Sequence, residues 1–225
     1  MKQIEKNTVS SKGQLVSSRF VTFRNRNGKD IKIMFVGNSI TLHGVLPSIG
    51  WNNEWGMAAS KIENDYVHII EEKVKEKHPD AAFCICQVAE WERKFDEGEK
   101  TLPLYDSARE FAADIVIFRF IENCPQKPEL AEKFYEDYGK LLEFLTAENK
   151  NAKIIITNGF WKHIYDKQIE KFAIENNYPF VDLGDLGELD EMKAIGLFEH
   201  SGVANHPGDL GMKNIAERIL EKMEF

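Results

Sequence analysis

The chain has 225 residues, 43% of them hydrophobic, and a net charge of −8. That length accommodates one large domain whose core needs no disulfide or metal staple. The negative charge argues against a nucleic-acid binder, which must neutralise phosphates, and no apolar run is long enough to cross a bilayer.

Residues 1–30 are polar, mixed in charge and without an apolar signal core. They read as an N-terminal extension to a single domain over 31–225, in a cytoplasmic protein. Within the extension, 20–23 predict a short strand, and Asn27-Gly28 a turn that folds it as an antiparallel hairpin at the sheet edge. Residues 31–36 are apolar apart from Lys32 and predict a central parallel strand. The loop over 42–56 carries Gly44, Gly50, Gly56, Pro47, Trp51 and Trp55. A helix is predicted over 57–77, stopped by His78-Pro79.

A second strand is predicted over 82–88, a short helix over 103–113 and a third strand over 115–120. Cys84 and Cys86 alternate in the second strand and read, with Cys124, as buried thiols rather than metal or redox groups. Pro128 opens a long helix with the stripe Leu130, Phe134, Tyr138, Leu141, Leu142 and Leu145. A fourth strand over 154–157, a helix over 166–177 and a fifth strand over 180–183 follow. The closing helix presents Met212, Ile215, Ala216, Ile219 and Met223 at helical spacing. Five such alternations predict one three-layer α/β/α domain, a five-stranded parallel sheet with helices on both faces; in the strand order 2-1-3-4-5 the reversal lies between strands one and three. Ligands bind such sheets at the carboxyl ends of the strands, where the order reverses. Ser39 follows strand one and Glu122-Asn123 follows strand three, so both reach that place.

A serine that attacks an ester at neutral pH needs a base and pre-set oxyanion donors. His206, just ahead of Pro207-Gly208, sits on a loop rather than in an apolar stripe and is the candidate base; Asp209 resembles the N-cap of the last helix. Asn123 offers a side-chain amide. The main-chain N–H groups of Ser39 and of Ala89 or Glu90 offer further donors. The strand–serine–helix elbow of the α/β-hydrolases does not fit, because Thr41 stands where that turn requires glycine.

Gly37-Asn38-Ser39 near the start, Asn123 after the third strand and His206-Pro207 before the last helix together resemble the SGNH (GDSL-like) hydrolases. The resemblance spans residue 31 to the C-terminus. It implies a flavodoxin-like three-layer fold and ester hydrolysis through a serine acyl-enzyme, with Ser39 as nucleophile, Asn123 as oxyanion amide and His206 as base. The chain departs from the family pattern at Asn38, usually aspartate, at Ala89-Glu90, where a glycine usually stands, and at Ile121-Glu122-Asn123, where the glycine ahead of the asparagine is absent. Val203 stands three residues before His206, where the family carries its acid. Glu199 is the first candidate to orient His206, with Asp182 or a main-chain carbonyl as alternatives.

All four tryptophans fall in loops after strands. Trp51, Trp55 and Trp161, with Asn38, Ala89 and Glu90, are therefore expected around the substrate. Glu90, Glu92 and Arg93 fit either binding of substrate polar groups or a surface ion-pair network, the latter being the default. His43 and His200 show no zinc-ligand spacing, so neither metal nor cofactor is expected. The chain thus reads as a serine esterase that removes a small acyl group, acetyl above all, from a polar alcohol such as a sugar. A lapsed carbohydrate-binding protein on the same scaffold is the alternative. A nucleotide binder is third, weakened by the lack of a glycine-rich phosphate loop after strand one.

Overall fold

The computed structural model describes residues 16–17 and 20–225. Its strands are β1 (Val16–Ser17), β2 (Val21–Arg24), β3 (Lys32–Gly37), β4 (Ala82–Gln87), β5 (Ile115–Arg119), β6 (Lys153–Thr157) and β7 (Phe180–Val181). Its α-helices are α1 (Tyr66–Lys75), α2 (Ala89–Arg93), α3 (Asp106–Arg109), α4 (Ala131–Leu145), α5 (Asp166–Glu175), α6 (Ser201–Ala204) and α7 (Asp209–Leu220). The strands form one seven-stranded sheet in the order β1-β2-β4-β3-β5-β6-β7. Its last five strands are parallel and in the expected order.

Both faces of the sheet are buried. Met34, Val36, Cys84, Cys86, Val116 and Phe118 point to one side, against α3, α4 and α5. Ile33, Phe35, Phe83, Ile85, Ile115 and Ile117 point to the other, against α1 and α7. This two-sided burial is why the strands read as continuous apolar runs. Cys84, Cys86 and Cys124 are all buried thiols, and burial pushes each above the usual thiol range. Among the described residues no helix is long and apolar enough to cross a membrane.

The N-terminal hairpin exists but differs from the expected one. β2 pairs antiparallel with β1 and with β4, not with the following strand β3. β3 already has β4 on one side and β5 on the other, so it has no edge left to offer. The first long helix begins at Tyr66 rather than 57, because Asp65 caps it by accepting from the His68 N–H at 2.8 Å. Ahead of it, Ala58 takes a positive φ of 75°, which no helix admits. The predicted helix over 103–113 is likewise reduced to a 3₁₀ turn and the four residues of α3.

Candidate active site

β3 ends on Gly37, beside the ends of β4 and β5. A Cβ on Gly37 would lie 1.7 Å from Thr41 Oγ1, an impossible contact. Thr41 cannot move aside freely, since its Oγ1 is 2.7 Å from the buried Tyr66 hydroxyl. The chain reverses here: the N–H groups of Thr41 and Leu42 both donate to the Asn38 carbonyl at 2.9 Å. The Ser39 carbonyl accepts from Met57 N–H at 2.9 Å. Among the described residues the Ser39 N–H has no acceptor, which leaves it available to an incoming oxyanion.

Ser39 Oγ lies 2.9 Å from His206 Nε2. On the other side of the ring, His206 Nδ1 donates to the Gly202 carbonyl at 2.7 Å. That carbonyl is open because α6 is a single turn: His206 N–H donates instead to Val203 O, and Ala204 N–H to His200 O. Fixing the proton on Nδ1 leaves Nε2 with a lone pair for the Ser39 hydroxyl proton. Burial pushes the His206 pKa down to about 4, against the raising effect of the Gly202 carbonyl. At neutral pH the ring is therefore uncharged and able to act as a base. Trp161 meets it edge-on with 5.3 Å between ring centroids.

Val203, at the family's acid position, is fully buried in the core. Glu199 is exposed, and the Nδ1 contact expected of it is made by Gly202 instead. Asp182 is also exposed and accepts from Asn158 Nδ2 at 2.7 Å and Gly184 N–H at 3.0 Å. The Glu199→Gln variant should therefore keep kcat within about twofold of wild type, as expected for a surface change. A loss of two orders of magnitude or more in a steady-state ester assay would return the orienting role to Glu199.

Beneath Ser39 lies a buried polar layer. Asn38 Nδ2 uses both hydrogens, one to Glu92 Oε1 at 2.9 Å and one to Glu122 Oε2 at 2.5 Å. Glu122 is paired with the fully buried Arg119 and accepts from Phe160 N–H at 2.8 Å. Burial pushes the Glu122 carboxyl up, but Arg119 and these donors outweigh it, and the net shift is downward. Glu92 is fully buried as well; burial and the neighbouring Glu122 push its pKa up to about 7. Its Oε2 accepts from Asn123 Nδ2 at 2.6 Å, and its Oε1 from Asn123 N–H at 3.3 Å. One hydrogen of the Asn123 amide is thus left without an acceptor among the described residues.

The structure redistributes several expected roles. Asn38 is buried and holds the layer below the serine rather than a substrate. Trp51 and Trp55 are core residues, packed edge to face at 5.9 Å, with their indole N–H groups on the carbonyls of His43 and Ala59. Ala89 N–H is taken by Gln87 Oε1 at 3.0 Å, which removes it as an oxyanion donor. The Glu90 carboxylate pairs with Lys94 at 2.8 Å, on the surface side of α2. Only Trp161 of the expected tryptophans stands beside the dyad. Asp209 is the first residue of α7 rather than its cap, and it ties down Ser60 and Asn64 instead. His43 donates to the Gly44 carbonyl and His200 caps α6; among the described residues no group of three His, Cys, Asp or Glu could hold a metal ion.

Sequence reasoning left a main-chain carbonyl open behind His206 without naming Gly202, brought Glu122 to the switch point without a role, and read Glu92 as a surface or substrate-binding group. Arg119, the lone charge in the apolar strand β5, is the site residue it did not point to. Further along the same rim, an open groove of about 580 Å³ is lined by Asn158, Lys162, His163, Asp182, Asp185 and Glu188 among others.

Neither the family models nor the curated proteins contain a match to this sequence. Solved structures do match its fold. One is a two-domain esterase active on acetylated mannans, with a TM-score of 0.55 and 19% identity, over 88% of this chain and 50% of that one. The present chain thus spans about half of that protein's length. A family two carbohydrate esterase from Clostridium thermocellum, solved with a bound ligand, has a TM-score of 0.54 and 14% identity, over 86% and 63% of the two chains. A protein described as a GDSL-like lipase from Bacteroides ovatus has a TM-score of 0.54 and 12% identity, over 86% and 97%. The chain shares its three-layer α/β/α fold with these two esterases and the GDSL-like lipase.

Proposed function

We propose that the protein is a serine ester hydrolase that works through a Ser39–His206 dyad. The observation that carries this reading is the relay from Ser39 Oγ to His206 Nε2 and from His206 Nδ1 to the Gly202 carbonyl. In the forward step the Ser39 oxygen bonds to the ester carbonyl carbon while its proton passes to Nε2. The carbonyl oxygen becomes an oxyanion, received by the Ser39 N–H and the Asn123 amide. The imidazolium that forms is stabilised by the Gly202 carbonyl, an open acceptor at the C-terminal end of a helical turn. Collapse of the intermediate sends the Nε2 proton to the departing alcohol and leaves an acyl group on Ser39. Water, deprotonated by His206, then releases the acid.

The leaving alcohol is proposed to be polar, a sugar hydroxyl above all, and the acyl group small, acetyl first. The charged side chains around the groove on the same rim, Lys162, Asp182, Asp185 and Glu188 among them, and the mannan-active esterase of like fold both favour this choice. A lapsed carbohydrate-binding protein is disfavoured, since the missing acid at Val203 has a substitute in Gly202. The test is acetate release from acetylated mannan and hydrolysis of p-nitrophenyl acetate by wild type and Ser39→Ala. The proposal expects turnover by wild type alone; equal rates from both proteins would refute it.

A further inference from the structure

The layer beneath Ser39 contains two buried carboxylates but one buried guanidinium. Arg119 is committed to Glu122. Glu92 has no cation of its own and instead accepts three N–H groups: one from Asn38 and two from Asn123. Those two residues flank the reaction from different strands. Asn38 precedes the nucleophile after β3, and Asn123 carries the oxyanion amide after β5. Burying a carboxylate without a counter-ion is costly, so its place here calls for a reason beyond packing. α2, a helix of five residues, holds it there, with Glu92 N–H bonded to Val88 O at 2.9 Å.

We propose that Glu92 is a positioning residue: by accepting from both the main chain and the side chain of Asn123, it holds the Asn123 amide with its second hydrogen turned to the oxyanion. The inference rests on the esterase reading. An amide rotates freely about its last bond, and a wrong rotamer would present oxygen to an oxyanion. A carboxylate partner admits only the nitrogen, so the ionised form of Glu92 fixes the sense of the amide. Protonation removes an acceptor position and loosens that choice. The titratable groups facing Glu92 are Glu122, whose charge raises its pKa, and Cys124, whose thiol stays neutral; Arg119 lies behind Glu122. The working form of Glu92 is therefore lost as pH falls through about 7. Burial lowers the His206 pKa to about 4, below that limb.

The experiment measures kcat and KM on p-nitrophenyl acetate across pH for wild type, Ser39→Ala, Glu92→Gln, Asn123→Ala and the Glu92→Gln/Asn123→Ala double variant. Asn123→Ala should lose about 10²–10³-fold in kcat, the usual cost of one oxyanion donor. Glu92→Gln should lose about 10–100-fold in kcat, as a misplaced group does, with KM changed by less than about threefold. The double variant should fall within about threefold of Asn123→Ala, because Glu92 acts through that amide. The wild-type limb near pH 7 should vanish in Glu92→Gln. Multiplying losses in the double variant, or a wild-type kcat that is flat between about pH 5.5 and 8.5, overturns the positioning role. The flat profile needs no variant, so a misfolded Glu92→Gln protein leaves that test standing. A wild type no faster than Ser39→Ala is a different result, and it takes down the esterase reading along with this one.

Discussion

Ser39→Ala and His206→Ala should each lower kcat for ester hydrolysis by about 10⁴–10⁶-fold, and the double variant should be no worse than either. In the proposed mechanism the two side chains form one device. Without the Ser39 oxygen no acyl-enzyme forms; without Nε2 the hydroxyl keeps its proton, since a serine is a poor nucleophile on its own. What survives is the contribution of the Ser39 N–H and Asn123 to an attacking water. The equality of the single and double losses is the informative part. Steady-state rates over enough enzyme concentration to see a 10⁶-fold drop would measure it, and a double variant far below both singles would show that the residues act separately.

The second large effect is structural and sits one peptide bond from the site. Gly37→Ala should destabilise the fold by about 2–3 kcal/mol, the upper range for overpacking a core position. The added methyl would collide with Thr41 Oγ1 and Cβ, at 1.7 and 2.6 Å. Relief requires either breaking the Thr41–Tyr66 contact or lifting the Asn38–Ser39 turn off the end of β3. Lifting the turn carries Ser39 away from His206, so on that route activity should fall further than the loss of folded protein explains. Urea unfolding alongside kcat reads both effects, and an unchanged midpoint would contradict the close approach at Gly37.

Much of this fold was legible because its causes are local. Ile33, Phe35, Val36, Ile115 and Ile117 are apolar whichever way they point, which marks a sheet covered on both faces. The switch point followed from topology alone, and it brought Ser39, Asn123 and the β3–β5 boundary together. What escaped depends on contacts between distant segments. Nothing in residues 20–30 says that β3 has no free edge and that β2 must turn to β4. Trp51 and Trp55 lie in a loop rich in glycine, yet they pack on each other, and Trp51 on Phe198, rather than on solvent. The run Ala89-Glu90-Trp91-Glu92-Arg93 reads as a charged surface helix; only the fold reveals that Glu90 faces Lys94 while Glu92 points beneath the nucleophile.

The group behind His206 was the least legible of all. A main-chain carbonyl has no residue type, so the sequence shows an absent acid at Val203 and leaves a carbonyl as one alternative without saying which. The replacement arises because α6 ends after one turn and strands the Gly202 carbonyl where the imidazole can reach it. Val203 itself is then free to fill the core.

The central claim is that Ser39 is an activated nucleophile. Its most direct measurement is reaction of the intact protein with a fluorophosphonate, followed by peptide mass spectrometry to locate the adduct. The dyad predicts a single phosphonyl group on Ser39 in wild type and none in His206→Ala under the same conditions. A wild-type protein that stays unlabelled, or an adduct on a different residue, would contradict it.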